Sequence, residues 1–354
     1  MPTWMIYGAT GYTGRLVAEE AVRRGHKPLL AGRSAEKLRP LAERLGLDYA
    51  AVALDDSDRL RQIVAGVEAV YHAAGPFVHT AQPMLRACLN AGAHYLDITG
   101  EIPVYQMAFA YDSAAREKGI AILPGVGFDV IPSDCLIQHV AEQLPDATHV
   151  EVVVDALRAG SASAGTTKSM LEMVPRLGNV VRRDGRLARV PFGWGARWFQ
   201  FPHGRRYAMP APWGDVEMAY HSTGIPNITA YLAFPPRLVR LFRLSGPLLE
   251  AALKAAPLRD FFGGQIDRLV TGPGEAERQS GRAWLWAQAR NARGETRQAG
   301  LETVEAYRFT AEAGVRVVER VLDGAYRGAL TPALAFGADF PLEIPGTQRH
   351  DYTP

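Results

Sequence analysis

The chain has 354 residues, 47% of them apolar and 21% charged, enough for two cored domains of roughly 150 residues each. That balance excludes an intrinsically disordered chain and a small disulfide-held scaffold. Lys and Arg total 39 against 37 for Asp and Glu, a formal net charge of +2, which leaves no overall field for nucleic acid or an anionic surface.

The first part of the chain alternates short apolar runs with amphipathic ones. Trp4 to Tyr7 reads as a strand that runs straight into the glycine loop Gly8-Ala9-Thr10-Gly11-Tyr12-Thr13-Gly14. A helix follows, with Leu16, Val17, Ala21 and Val22 at helical spacing, and Gly25 stops it. Pro28 to Ala31 is the next strand, and Ser34 caps a helix carrying Leu38, Leu41, Ala42 and Leu45. The pattern predicts strands over Tyr49 to Leu54, Val67 to Ala74, His94 to Asp97 and Ile120 to Pro124. Helices are predicted over Ser57 to Ala65, Pro83 to Asn90 and Val104 to Lys118. Such alternation predicts a doubly wound parallel sheet with helices on both faces.

The second part reads differently. His149 to Leu157, Val216 to His221 and Asn227 to Phe234 look like strands, and Arg282 to Asn291 with Glu295 to Phe309 forms a hairpin. This predicts an α+β domain with a mostly antiparallel sheet. Thr310 to Leu322 is a helix expected to pack back on the first domain. The predicted division is therefore 1–125 for dinucleotide binding, 126–309 for substrate and dimerisation, and 310–354 as a returning helix and tail. From Phe192 to Trp213, aromatic residues between Pro and Gly predict an irregular segment that lines an apolar pocket or fills a core or dimer interface. Pro235 to Phe262 is amphipathic, with Arg237, Arg240 and Arg243 among leucines. It reads either as a packed helix pair or as a surface for a membrane or an apolar partner.

The glycine loop is the most specific motif. Gly8 permits the turn out of the strand, Gly11 lets the backbone approach a pyrophosphate, and Gly14 lets the helix pack on the sheet. Thr10, Tyr12 and Thr13 complete the loop, whose amides face the phosphates. After the second strand, a dinucleotide site that holds a free ribose 2′-hydroxyl carries an acid. Here Arg33, Ser34 and Lys37 stand instead and suit a 2′-phosphate, so NADP(H) is expected in preference to NAD(H). The competing reading has Arg33 as an ordinary surface residue and Glu36 binding the ribose. Asp55 is expected near the adenine, and Ala74, Gly75, Pro76 and Phe77 beside the nicotinamide ribose.

Ligands of such sheets bind at the carboxyl ends of the strands, which makes Glu101 and Asp129 the leading proton-donor candidates, ahead of Asp97. The competing reading of each, which the residues favour, is a cap or charge at a helix N-terminus. Lys168, in a polar cluster after Gly165, is a donor, an anion clamp or a solvated side chain. His221 is a donor or a structural histidine. No Tyr-x-x-x-Lys pair of the short-chain dehydrogenases exists, because Arg23, Arg33, Ala114, Ala164 and Glu250 precede the five lysines by four. The two cysteines, Cys88 and Cys135, lack metal-ligand spacing and suit a reducing compartment. No segment resembles a secretion signal, and no apolar run reaches the ~18 residues of a membrane span. A cytoplasmic protein without metal or integral membrane segment is expected, with peripheral membrane contact left open, and a homodimer follows from the commonest oligomer symmetry.

The runs GATGYTG, AGRSAEKL, AAGPF, YLDITGE and PGVGFDVIPSD resemble the saccharopine dehydrogenase-like family of NAD(P)-binding oxidoreductases, in its bacterial branch with trans-acting enoyl reductases. The resemblance covers residues 1 to about 140 and continues in patches at Ser161 to Ser169, Gly224 to Asn227 and Gly328 to Ala333. It implies a Rossmann domain, an inserted α/β substrate domain and a C-terminal return. It also implies NADPH-dependent reduction of an activated C=C or C=N bond in an apolar, lipid- or polyketide-like substrate. Two alternatives stand beside it: a non-catalytic NADP(H)-binding sensor or scaffold, and a saccharopine-type amino-acid dehydrogenase using Arg176, Arg182, Arg183, Arg205 and Arg206.

Overall fold

The structure, a computed structural model, describes residues 3–156 and 162–352. Leu157 and Ser161, which the sequence places in a strand and in a family-like patch, lie outside the described residues. In chain order the elements are β1 (Trp4–Tyr7), α1 (Tyr12–Arg23), β2 (Leu29–Gly32), α2 (Ala35–Leu45), β3 (Tyr49–Ala51), α3 (Ser57–Val64), β4 (Ala69–His72), α4 (Phe77–Ala91), β5 (His94–Asp97), α5 (Ile102–Ala110), α6 (Asp112–Lys118) and β6 (Ala121–Leu123). There follow α7 (Ile131–Glu142), β7 (Ala147–Asp155), α8 (Ala164–Leu177), β8 (Asn179–Arg183), β9 (Arg186–Val190), β10 (Arg197–Phe201), β11 (Gly204–Pro210), α9 (Asp215–Thr223), β12 (Asn227–Ala233), α10 (Pro236–Leu253), α11 (Ala256–Leu269) and α12 (Glu275–Ser280). The hairpin β13 (Arg282–Asn291) and β14 (Thr296–Val304) precedes α13 (Ala306–Asp323), β15 (Gly328–Ala329), α14 (Pro332–Phe336) and β16 (Gln348–Tyr352).

Met1–Asp129 and Tyr307–Ala335 form one unit. Its sheet has seven parallel strands in the order β15-β6-β5-β4-β1-β2-β3. β1 lies between β4 and β2, so the connections diverge there and open a crevice at its carboxyl end. Met5 and Ile6 are fully buried, each contributing about 1.5–3 kcal/mol as apolar side chains removed from water. Helices cover both faces of such a sheet, which is why β1 is apolar at every position rather than alternating.

Two helices depart from the sequence reading. α4 begins at Phe77 rather than Pro83, because the Glu101 carboxylate reaches its first amides; Pro83 sits inside the helix. The predicted Val104-to-Lys118 helix breaks at Tyr111. There the Asp112 carboxylate accepts from the Ala329 amide (2.8 Å) and ties α6 to β15. The C-terminal part divides. α13 and β15 join the first unit, and β15 adds the seventh strand beside β6. Phe336–Pro354 belongs instead to the second unit, where β16 pairs antiparallel with β14. Gly300 makes room there, since a Cβ on it would lie 2.4 Å from the Tyr352 hydroxyl oxygen.

The second unit, Val130–Ala306 with Phe336–Pro354, carries a sheet in the order β10-β11-β12-β7-β13-β14-β16, with β8 and β9 attached through β12. Its pairings are antiparallel except that of β7 with β12. The predicted strand Val216 to His221 is helix α9. Alternation of Val216, Met218 and Tyr220 imitates a strand. Asp215 and Glu217 favour a helix N-terminus there, and Gly224 at φ 70° ends the helix. The aromatic segment is not irregular either, since β10 and β11 form a hairpin. Phe199 and Phe201 turn inward onto Tyr231, Trp284 and Trp286 and fill core, while Trp194 and Trp198 face water. Asn291 closes the β13–β14 turn by accepting from the amides of Arg293 and Glu295, both at 3.0 Å.

Candidate functional site: a dinucleotide crevice in the first unit

At Gly8 the chain leaves β1 with φ 86°, and a Cβ would stand 2.8 Å from the Ala73 carbonyl carbon and the Ala74 nitrogen. A Cβ on Gly14 would stand 2.3 Å from the Gly8 carbonyl oxygen. Both positions thus require glycine, for the turn and for the approach of α1 to the sheet. Gly8 and Ala9 donate to the Ala31 carbonyl (2.9 and 3.2 Å), and Gly11 donates to Gly8 (2.9 Å). Helix α1 starts at Tyr12 after Gly11, which has no side chain to cap it, and its first turn holds no acid. Ser34 caps α2, Asp56 caps α3 and Glu101 caps α4. The positive end of α1 thus faces the crevice without a neutralising carboxylate in its first turn, which is what a pyrophosphate needs. Thr10, Tyr12 and Thr13 are partly exposed around it. The Tyr12 ring packs edge-on against Tyr307 from α13, centroids 4.9 Å apart.

The residues expected near the adenosine end lie beyond β2 and β3. Arg33 is exposed, and Asp55 follows β3. Both act on the buried Tyr7 hydroxyl, which donates to the Val52 carbonyl (3.0 Å): burial pushes its pKa up to about 12, Arg33 lowers it and Asp55 raises it. Ser34 accepts from the Lys37 amide at 3.4 Å as the cap of α2, and the Lys37 side chain is exposed.

The loops after β4, β5 and β6 meet through specific bonds. The Ala74 carbonyl accepts from the Thr80 hydroxyl (2.6 Å), with Gly75-Pro76 in the cis form. His72 is fully buried below this loop, 3.1 Å from the Thr80 oxygen, and burial lowers its pKa to about 3, so it is neutral. Glu101 is 1% exposed, and its two carboxylate oxygens accept from the amides of Phe77 (2.9 Å) and Val78 (2.7 Å). Asp97 accepts from the Tyr95 hydroxyl (2.6 Å), the Thr99 amide (2.9 Å) and the Gly125 amide (3.0 Å). Burial nevertheless outweighs those bonds and raises its pKa to about 6.

Asp129 differs from both. Burial of its carboxyl raises the pKa to about 7, and it makes no hydrogen bond or ion pair among the described residues. A Cβ on Gly100 would lie 2.9 Å from its Oδ2, so the glycine next to Glu101 is what admits the carboxyl. The same loop is fastened by Thr310 of α13, whose hydroxyl accepts from the Phe128 amide (3.0 Å).

Thus Glu101 and Asp97 are occupied as anchors, whereas Asp129 presents an unbonded carboxyl beside them. Tyr307, Thr310, His72 and Thr80 were not singled out from sequence. The first two come from a helix some 180 residues or more further along the chain, and nothing local marks any of the four.

Lys168 and His221 belong to the second unit. Lys168 lies in the first half of α8, a helix capped by Ser163. His221 is on α9, 3.4 Å from Glu217. Arginines in that unit are engaged internally: Arg182 with Glu217 (2.5 Å, both buried), Arg206 with Asp155 (2.8 Å) and Arg176 with Glu172 (3.4 Å).

Residues 4–123 match the model of the family described as saccharopine dehydrogenase NADP binding domain. The chain is 36% identical over 138 residues to the trans-acting enoyl reductase of Mycobacterium tuberculosis, covering 37% of this chain and 33% of that protein. It is 32% identical over 143 residues to the trans-acting enoyl reductase of Mycobacterium ulcerans, 38% of this chain and 34% of that one. The chain therefore matches only about a third of the length of these relatives. Among solved structures, apo saccharopine dehydrogenase (L-Glu forming) from Saccharomyces cerevisiae superposes with a TM-score of 0.66 at 13% identity over 100% of both chains, a likeness of fold alone. Residues 4–123, about a third of the chain and the part that holds the glycine loop, are thus similar to a saccharopine dehydrogenase NADP binding domain.

Proposed function

We propose that the protein is an NADPH-dependent oxidoreductase that reduces an activated C=C or C=N bond of an apolar, lipid- or polyketide-like substrate. The observation that carries this reading is the pairing, in one unit, of the glycine cradle at α1 with the unbonded Asp129 carboxyl. The enoyl reductase relatives agree with the reaction class.

The amides of Gly8 to Gly14 would hold the pyrophosphate, with Arg33, Ser34 and Lys37 on a 2′-phosphate and Asp55 near the adenine. Ala74, Gly75, Pro76 and Phe77 would flank the nicotinamide ribose, held in place by Glu101 and Thr80. When bound, the nicotinamide supplies the hydride. Asp129 supplies the matching proton: with its pKa raised to about 7, about half of it is protonated at neutral pH, and a general acid works best with a pKa near the operating pH. The substrate gains a hydride and a proton, and Asp129 regains its proton from water. Among the acid–base groups singled out from sequence, Asp129 has the best support. Glu101 serves the loop, and Lys168 and His221 stand as second-unit candidates.

Both cysteines are buried free thiols, which agrees with the proposed cytoplasmic setting. A homodimer is proposed on symmetry alone.

The test is NADPH oxidation in the presence of enones, enoyl thioesters and cyclic imines. Turnover that Asp129→Asn lowers supports the reading. Tight NADPH binding without oxidation by any of these acceptors would replace it with that of a binding protein.

A further inference from the structure

In the second unit, α10 and α11 leave large apolar side chains in water, chiefly Leu241, Leu244 and Leu248 on the first and Phe261, Phe262 and Leu269 on the second. Leu244 is 80% exposed and Leu248 75%. On α10, Arg237, Leu241, Leu244 and Leu248 stand at i, i+4, i+7 and i+11, which is one face of a helix. Arg240 is exposed one turn before Leu244. The inward face is formed by Val239 and Leu253, both buried. The other charges of α10 are engaged: Arg243 donates to the Gly193 carbonyl (2.7 Å), and Glu250 pairs with Arg189 (3.2 Å) and Lys254 (3.6 Å). Arg237 and Arg240 have no such partner among the described residues.

We propose that this face of α10, with the apolar stripe of α11, docks on the surface of an anionic lipid bilayer. Three leucines behind two unpaired guanidiniums give an interfacial helix both of its binding terms, apolar insertion and attraction to acidic headgroups. A second copy fits less well. Two-fold pairing of the α10 face with itself would oppose its arginines, because that helix face carries no acid of its own and the exposed Asp260 lies on α11. No helix among the described residues is long and apolar enough to cross the bilayer, so the contact is peripheral. The proposal does not depend on the hydride-transfer reading.

The experiment is flotation of the full chain with vesicles of phosphatidylcholine plus phosphatidylglycerol, and with phosphatidylcholine alone. The protein is expected to float with the mixed vesicles, less so with phosphatidylcholine alone or at high salt. Leu244→Glu/Leu248→Glu should weaken mixed-vesicle binding by ~10-fold or more. Arg237→Glu/Arg240→Glu should remove the preference for phosphatidylglycerol. All four side chains are exposed, so an unchanged thermal transition and unchanged nucleotide titration are expected for both variants. Failure to float, equal binding to both vesicle types, or parental binding by the leucine variant would each overturn the proposal. So would a dimer in light scattering that the leucine variant dissociates while vesicles bind neither protein.

Discussion

Glu101→Gln separates an anchor from a catalyst. In the parent, the two carboxylate oxygens each accept from a backbone amide at the start of α4, at 2.9 and 2.7 Å, in a site with 1% exposure. Each bond has a charged acceptor, worth about 1.5–3 kcal/mol, and an unsatisfied buried amide costs about 1–3 kcal/mol. Glutamine keeps one oxygen and turns an NH2 group toward the other amide, donor against donor. One bond is lost, one buried N–H is left without an acceptor, and the favourable charge at the positive end of α4 disappears. The expected destabilisation of the first unit is about 2–4 kcal/mol. In urea that lowers the unfolding midpoint by roughly 0.5–2 M for slopes of about 2–4 kcal/mol/M. Hydrogen exchange at Phe77 and Val78 should accelerate with it. An unchanged midpoint and unchanged protection, together with lost turnover, would refute the anchor assignment and return Glu101 to the substrate.

Further outcomes follow from the same geometry. Asp129→Asn should lower kcat by about 10²–10⁴-fold, the usual worth of a general acid, while leaving NADPH affinity unchanged. In the parent, kcat should fall as pH rises through about 7, because the protonated carboxyl is the donor; an activity that rises instead would contradict the role. The raised pKa also sets the sign for stability. Asp129 holds its proton more tightly folded than unfolded, so its contribution is present at low pH and is lost between about 4 and 7. Asp129→Asn should therefore gain stability relative to the parent at pH 8, read by thermal melts at both ends of that window. Arg33→Ala should weaken NADPH by ~10-fold or more and leave NADH nearly unchanged, measured by paired titrations. Equal losses for both nucleotides would assign Arg33 to a structural task.

Local chemistry made the first unit legible. The run Trp4 to Tyr7, Gly8, Gly11 and Gly14 state a buried strand, a turn and a close helix within eleven residues, and the structure builds them so. The turn at Asn291 was equally plain, because an Asn side chain satisfies the turn from within it. What stayed hidden depends on distant partners. The early start of α4 needs Glu101, and the break at Tyr111 accompanies the Asp112–Ala329 bond. The fastening of the Asp129 loop needs Thr310. α9 was misread because its alternating apolar residues imitate a strand, and burial on more than one face erased the helical stripe. The aromatic hairpin was misread because its Pro and Gly residues suggested loops, while Phe199 and Phe201 pack on a sheet contributed by other segments. The candidate site divides in the same way. The turn at Gly8 and the close approach at Gly14 were readable in advance, but whether Glu101 or Asp129 has a free carboxyl rests on amides the sequence does not connect to them.

The most direct measurement is a titration of the protein with NADPH and NADH by quenching of tryptophan fluorescence, with Gly8→Ala as the control. The added Cβ would meet Ala73 and Ala74 at 2.8 Å in a left-handed backbone, so the variant should lose nucleotide binding. The parent should bind NADPH at least ~10-fold more tightly than NADH, a difference of about 1.4 kcal/mol. Binding of neither nucleotide, or a preference for NADH, would contradict the account.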